Sequence, residues 1–277
     1  MIAAEHQAIR PEMTRSAGAV RILVAQTAEA ATRIAAQMVV AAINRSPRIA
    51  LGLAAGRTMQ PVYAALASAW RHGKVAFSQA RFFALDEILD LPEGDRRTFA
   101  SVLGSELLEP IGVAAGSVML LNGHVADPAE EAARHERSIK HAGGIGLQLL
   151  GIGANGHLAF NEPGSSLQSR TRVVTLADDT ATSLKSWLGL DHAPRRAISL
   201  GLANILEAES LLLVATGHSK STALCEALTG PIGPHCPASA IRLHGAATII
   251  ADLAAAAELL RRREDVQKQG ITIEQVS

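Results

Sequence analysis

The densest concentration of reactive side chains is the run GIGANGHLAFNEP at positions 151–163. Gly151, Gly153 and Gly156 permit tight turns and close approach of a ligand to the backbone. Asn155, His157, Asn161 and Glu162 then supply polar groups within eight residues. Such groups directly after an apolar stretch are poor core material and mark a strand-end site. His157 can move protons near neutral pH. Glu162 can accept or orient a proton, or hold His157 in one tautomer. GIGANG loosely fits GxGxxG, but HLAFNEP follows it. Pro163 would interrupt the long helix that a dinucleotide fingerprint needs.

Asp86 and Glu87 directly follow the apolar residues 82–85. A carboxylate ending a buried strand can have a raised pKa and act as a base, although the same pair would also suit a turn or a helix cap. The run AAGRT at 54–58 has the make-up of a small phosphate cradle: Ala55 and Gly56 expose backbone N–H groups, Thr58 adds a hydroxyl, and a helix start favours an anion. Arg57 can add a bidentate clamp. This is not a P-loop, because Lys-Ser/Thr is missing. In GHSK at 217–220, Lys220 falls in the first turn of an expected helix, within reach of a phosphate. Arg170 and Arg172 in SRTR suit either an anion contact or a surface pair. His124, His218 and His244 show no metal-ligand spacing, so no metal is expected.

The elements that must position these groups alternate. Apolar runs at 21–25, 48–53, 75–85, 117–121, 146–152, 172–176, 196–200 and 210–216 read as strands, with a last one around 248–250. Helical patterns lie between them. One follows Thr27 as a cap, one carries Pro61 in its first turn, and one opens on Asp127 and Pro128. Others are expected at 98–108, 179–187, 202–208 and 219–228, and a charged helix and tail end the chain. This order predicts a three-layer α/β fold around an open, mostly parallel, Rossmann-like sheet. Open parallel sheets bind ligands beyond the carboxyl ends of their strands, where the 55–58, 86–87 and 155–162 clusters all fall. Residues 1–18 read as a flexible arm and residues 19–277 as one domain, with no repeat and no linker.

Composition excludes several classes. The 26 basic and 26 acidic residues balance, and no basic stripe interleaves with aromatics, so no nucleic-acid partner is expected. Aromatics are only 3%, which leaves Ala, Leu, Ile and Val to build the core. Cys225 and Cys236 lack zinc or disulfide spacing and fit free thiols of a cytoplasmic protein. No apolar run is long enough for a membrane span, and the first residues do not resemble a signal peptide.

From about residue 22 to 252 the chain resembles the glucosamine-6-phosphate deaminases, also called glucosamine-6-phosphate isomerases. The resemblance rests on LGLAAGRT at 51–58, LDE at 85–87, LNG at 121–123, GIGANGHLAFNEP at 151–163, SLQSRTRVVTL at 166–176 and PASAIRLH at 237–244. It implies conversion of glucosamine 6-phosphate and water to fructose 6-phosphate and ammonia, with no redox cofactor and no metal. The ring opens, a base moves the C2 proton to C1, and the resulting imine or carbinolamine loses ammonia. By the same resemblance Asp86 is the C2 base, His157 the ring-opening histidine and Glu162 its acidic partner. Asn155 stands where some members have Asp. Ala55, Gly56, Arg57 and Thr58 match the phosphate loop, and Lys220 the phosphate lysine.

Two departures stand out. Arg57 replaces a usual Gly, and a lid position that carries Arg in the best-known members falls at Ser186, beside Lys185. Arg57, helped by Lys185, is therefore expected to supply the lost charge. The missing lid arginine weakens any implication of allosteric control. Galactosamine-6-phosphate deaminase/isomerases share the NGHxxxNEP core, and 6-phosphogluconolactonases share the fold but typically lack FNEP. Phe160 leans to the glucosamine branch. A sugar-phosphate sensor without catalysis is the remaining alternative. The family includes monomers and hexamers, so a homo-oligomer is admitted.

Overall fold

The computed structural model describes residues 20–89 and 91–276. The expected flexible arm, 1–18, lies outside the described residues. Eight strands form one sheet: β1 (Arg21–Ala25), β2 (Ala50–Leu53), β3 (Arg81–Ala84), β5 (Val118–Met119), β6 (Leu147–Leu150), β9 (Leu211–Ala215), β10 (Ala247–Asp252) and β11 (Thr272–Val276). Their order is β11-β1-β10-β9-β6-β2-β3-β5, and every neighbouring pair is parallel. Every residue of β2, β6 and β9 is buried. A strand with no exposed residue must be covered on both faces, which is the three-layer arrangement the sequence predicts.

The helices are α1 (Ala28–Arg45), α2 (Gln60–Arg71), α3 (Phe99–Leu103), α4 (Pro128–His141), α5 (Asp178–Leu188), α6 (Leu202–Leu206), α7 (Ser221–Thr229), α8 (Ala257–Arg261) and α9 (Arg263–Lys268). Local chemistry starts the long ones. Thr27 accepts the Ala30 N–H at 3.2 Å to cap α1. Asp127 caps α4 through the Ala129 and Glu130 N–H groups, with Pro128 next. The buried stripe of α1 is Ala30, Ala31, Ala35, Ala36, Val39 and Ile43, small residues that let it lie close against the sheet. No described helix is long and apolar enough to cross a membrane.

The chain departs from the simple alternation in two places. First, β4 (Asp86–Ile88), β7 (Arg172–Thr175) and β8 (Arg196–Ser199) are not in the large sheet. They form a second, antiparallel sheet in the order β4-β8-β7. The transfer happens at Leu85, whose N–H still bonds Leu53 O of the large sheet at 2.9 Å. Its carbonyl already accepts the Leu200 N–H, also at 2.9 Å. Asp86 is therefore the first residue of the second sheet. Second, β10 is not the last strand, because the tail returns as β11 beside β1.

This topology sets a crevice. After β2 the chain goes on to β3 on one side, and after β6 it passes through the second sheet to β9 on the other. The reversal between β2 and β6 is where an open parallel sheet binds ligands.

The segment leading into β7 and the one leaving β8 cross closely at Gly201, just before α6. A Cβ there would lie 2.0 Å from Ser169 O and 2.5 Å from the Arg170 nitrogen. Backbone atoms cannot yield as a side-chain tip can, so Gly201→Ala is expected to destabilise the protein by about 3 kcal/mol. Gly245→Ala, which meets nothing within 4 Å, should stay within about 0.5 kcal/mol. Urea unfolding of both variants checks this.

Candidate active site

A cavity of about 620 Å³ opens at the carboxyl ends of β9, β6, β2 and β3, four neighbours in the large sheet. That volume suits a small metabolite. The segments after these strands bring Arg57, Thr58, Asp86, Asn155, His157 and Lys220 to its walls. Ala55 and Gly56 line it too. The sequence clusters, up to 165 residues apart, thus meet in one place.

One side is cationic. Residues 54–58 turn directly from β2 into α2, whose first N–H groups have no side-chain cap. The buried Tyr63 hydroxyl donates to Ala54 O at 2.7 Å and fixes the turn from below. Lys220 reaches the cavity from the 3₁₀ turn His218–Lys220, ahead of α7. Burial, then the Arg57 guanidinium, holds the Lys220 ammonium below the ordinary lysine range. Two cations facing one another define an anion site, because a bound dianion relieves their repulsion. The Lys220 turn is itself anchored. Asp252, at the end of β10, accepts the Gly217 N–H through both carboxylate oxygens at 3.0 and 3.1 Å. Gly217 has φ +85°, open to glycine at little strain.

The opposite character appears at Asp86. Its side chain is buried, and among the described residues Oδ1 has no hydrogen-bond partner. Burial, then the neighbouring Glu87, raises its pKa well above the usual carboxylate range. Glu87 points away into the start of α3. It accepts the Ile88 and Phe99 N–H groups at 2.8 Å and the Ala100 N–H at 2.7 Å. Burial nevertheless pushes it up to about 7 against those three donors. Glu87 therefore fixes Asp86 from behind and pins Phe99 in the cavity wall.

His157 and Glu162 form the third group. His157 Nδ1 lies 3.4 Å from Glu162 Oε2, and Asn155 Nδ2 donates to the same oxygen at 2.7 Å. The Ala177 N–H reaches Glu162 Oε1 at 3.4 Å. Burial raises the Glu162 pKa, but His157, Thr180 and Asn155 together outweigh burial and hold it at about 2. The loop needs its glycines: a Cβ on Gly153 would lie 2.3–2.5 Å from the His157 ring. Among the described residues, Ala159 is the non-glycine with positive φ, at 52°, a strained conformation of the kind that gathers at functional sites. Phe160 stacks on Phe99 at 5.8 Å between ring centroids and completes an apolar wall with Leu184 and Trp187.

Some expected contacts fall elsewhere. Lys185 is exposed and is not part of the cavity lining. It and Ser186 are exposed on α5, while Ser183, Leu184 and Trp187 of the same helix line the cavity. Arg172 also lies outside the lining. It donates to Asn161 Oδ1 at 2.9 Å and Ser165 Oγ at 3.3 Å. Asn161 is a structural knot: its Nδ2 also bonds Leu158 O and Leu200 O at 3.0 and 2.8 Å. Arg170 pairs with Glu136 and Glu207. Sequence reading passed over Thr180, Asp179 and Asp252. Only an exposed Asp beside a threonine at a helix start hinted at the first two. Among the described residues no group of three or more His, Cys, Asp or Glu converges as a metal site.

Comparison with known proteins fits this geometry. The family model for glucosamine-6-phosphate isomerases/6-phosphogluconolactonase matches residues 24–250. A glucosamine-6-phosphate deaminase of Streptomyces coelicolor is 39% identical over 240 residues, 86% of this chain and 92% of that relative. One of Corynebacterium aurimucosum is 42% identical over 215 residues, 77% and 84% of the two chains. Among solved structures, a monomeric glucosamine-6-phosphate deaminase matches with TM-score 0.82 and 32% identity, over 85% of this chain and 99% of the other. A 6-phosphogluconolactonase from Trypanosoma cruzi, at TM-score 0.72, 19% identity and coverage of 88% and 98%, shares the fold. By the matched span and by its likeness to these relatives, the chain belongs to the glucosamine-6-phosphate isomerase/6-phosphogluconolactonase family.

Proposed function

We propose that this protein is a glucosamine-6-phosphate deaminase, releasing ammonia and fructose 6-phosphate from glucosamine 6-phosphate and water. The observation that carries the reading is that one cavity gathers cations, a buried carboxylate and a His–Glu pair. Arg57 and Lys220 offer an anion site, and a buried, unpartnered carboxylate and a His–Glu pair stand along the same walls. A phosphorylated amino sugar carries the complementary charges, an anion at C6 and an ammonium at C2. The named relatives act on that substrate class. The contributing residues run from 54 to 220, so the reading treats the described chain as one domain.

On this reading the phosphate sits on residues 55–58 and Lys220 and orients the rest of the molecule, so that remote binding energy serves the reacting carbons. Ionised Glu162 faces Nδ1 of His157 and keeps a proton there, which leaves Nε2 to take the anomeric hydroxyl proton and return one to the ring oxygen. Asn155 orients the pair without adding charge. Asp86 then moves the C2 proton to C1. In the empty cavity burial favours its neutral form. The substrate ammonium supplies the counter-charge that ionises it, so the base is generated where the substrate is bound. The enolamine becomes an imine, water adds at C2, and ammonia leaves.

The direct test is ammonia release from purified protein given glucosamine 6-phosphate, galactosamine 6-phosphate or 6-phosphogluconolactone. Ammonia from the first, at least tenfold faster than from the second, is expected. No ammonia together with lactone hydrolysis would overturn the reading. Arg57→Ala should raise KM about tenfold, about 1.4 kcal/mol, with kcat little changed. An unchanged KM would remove Arg57 from the phosphate site.

Asp86→Asn should lower kcat at least about a thousandfold yet stabilise the fold. A carboxyl with a raised folded pKa holds its proton more tightly when native, so the native state loses stability as pH rises above the unfolded value of 3.8. The variant lacks that loss. Its advantage in urea unfolding should be smallest near pH 4 and grow as the pH rises towards 8.

A further inference from the structure

The start of α5 is docked on the His157–Glu162 pair by contacts that neither the sequence motif nor the proposed proton path uses. Thr180 is the third residue of this helix and is 7% exposed. Its Oγ1 lies 3.4 Å from His157 Nδ1, and the same hydroxyl is one of the hydrogen-bond partners of Glu162. The helix has no side-chain cap, because its cap residue is Ala177. Instead the Ala177 N–H turns to Glu162 Oε1, so the carboxylate takes over the cap. One carboxylate and one imidazole thus hold the first turn of α5 at two points. The cavity-lining Asp179, Ser183 and Trp187 ride on the same helix.

The chemistry of the groups fixes the direction of the hydrogen bonds. Glu162 is ionised and can only accept. A bare Nδ1 facing it would set lone pair against lone pair, so Nδ1 carries the proton. A hydroxyl beside both can accept from Nδ1–H through oxygen and donate its own hydrogen to Glu162. Serine and threonine offer that combination at this length, and a methyl group of the same shape offers neither half. Gly153 also abuts the ring, where a Cβ would collide with the imidazole. The ring is therefore confined by a bare backbone as well as by a hydroxyl.

We propose that Thr180 is a positioning residue for ring opening: its hydroxyl, shared between His157 Nδ1 and Glu162, reinforces the histidine tautomer that Glu162 sets and that leaves Nε2 free to act. The role in ring opening rests on the deaminase reading, whereas the tautomer is a property of the free protein.

The test pairs Thr180→Val with Thr180→Ser and reads three quantities. The first is the ¹⁵N imidazole spectrum of His157 in ligand-free protein at pH 8. The second is kcat for glucosamine 6-phosphate. The third is the inhibition constant of 2-amino-2-deoxyglucitol 6-phosphate, an open-chain analogue that needs no ring opening. The wild type should show the Nδ1–H form. The valine variant should show a mixture of tautomers and a kcat at least tenfold lower, with the inhibition constant within twofold of wild type. Serine should restore the tautomer and return kcat to within about threefold. An Nε2–H form in the wild type overturns the proposal even if the valine variant fails to fold. So does a valine variant with wild-type tautomer and kcat, or a serine variant no better than valine. Absence of ammonia from the wild type would instead sink the deaminase reading, and the spectrum would still decide the tautomer.

Discussion

The structure depends on one desolvated carboxylate. Asp86 sits where the chain leaves the parallel sheet and begins the antiparallel one, buried in the cavity wall and, among the described residues, with one oxygen unpaired. Burying such a group is unfavourable, and the fold sustains it by surrounding it with rigid elements. Leu85 is bonded to both sheets. Glu87 is tied to the start of α3 by three backbone N–H groups. On the proposed reading, the unfavourable burial is what makes Asp86 a strong enough base once a cationic substrate arrives.

The rest of the site complements that point. Burial with repulsion from Arg57 keeps Lys220 below its usual range. The cations and Asp86 are each unsatisfied in the sense that one end of a phosphorylated amine would correct. The His157–Glu162 pair, by contrast, is satisfied internally, through Asn155, Thr180 and the start of α5. The groups that must meet charge are left exposed to it, and the group that must hold one tautomer is locked.

What was legible in the sequence follows from which signals are local. The 151–163 run was readable because glycines and polar residues break the pattern of a buried strand within a few positions. The strand ends carrying residues 55–58, Asp86 and Lys220 were readable for the same reason, and so was the parallel α/β order. The second sheet was not. Its strands have three or four residues, and β4 finds its partner about 110 positions away, so periodicity carries no trace of the pairing. Arg172 looked like an anion ligand because an arginine in a polar stretch looks the same whether it meets a phosphate or the amide of Asn161. Lys185 lies one residue from the cavity-lining Leu184 and outside the lining itself, a matter of helical phase that sequence spacing does not reveal. Thr180 and Asp252 owe their placement to partners 18 to 35 residues away. The β11 edge strand was hidden in a charged tail whose alternation, TIEQV, is too short to stand out.

The central claim is that Asp86 is neutral in the empty cavity and ionised when a cation lies beside it. Carboxyl-labelled aspartate followed by ¹³C NMR against pH, in free protein and with 2-amino-2-deoxyglucitol 6-phosphate bound, tests it most directly. The account predicts that the Asp86 resonance titrates well above the usual carboxylate range when the cavity is empty and moves down when the amine is bound. A titration near the ordinary aspartate value of 3.8 in the free protein, unmoved by the amine, would contradict it.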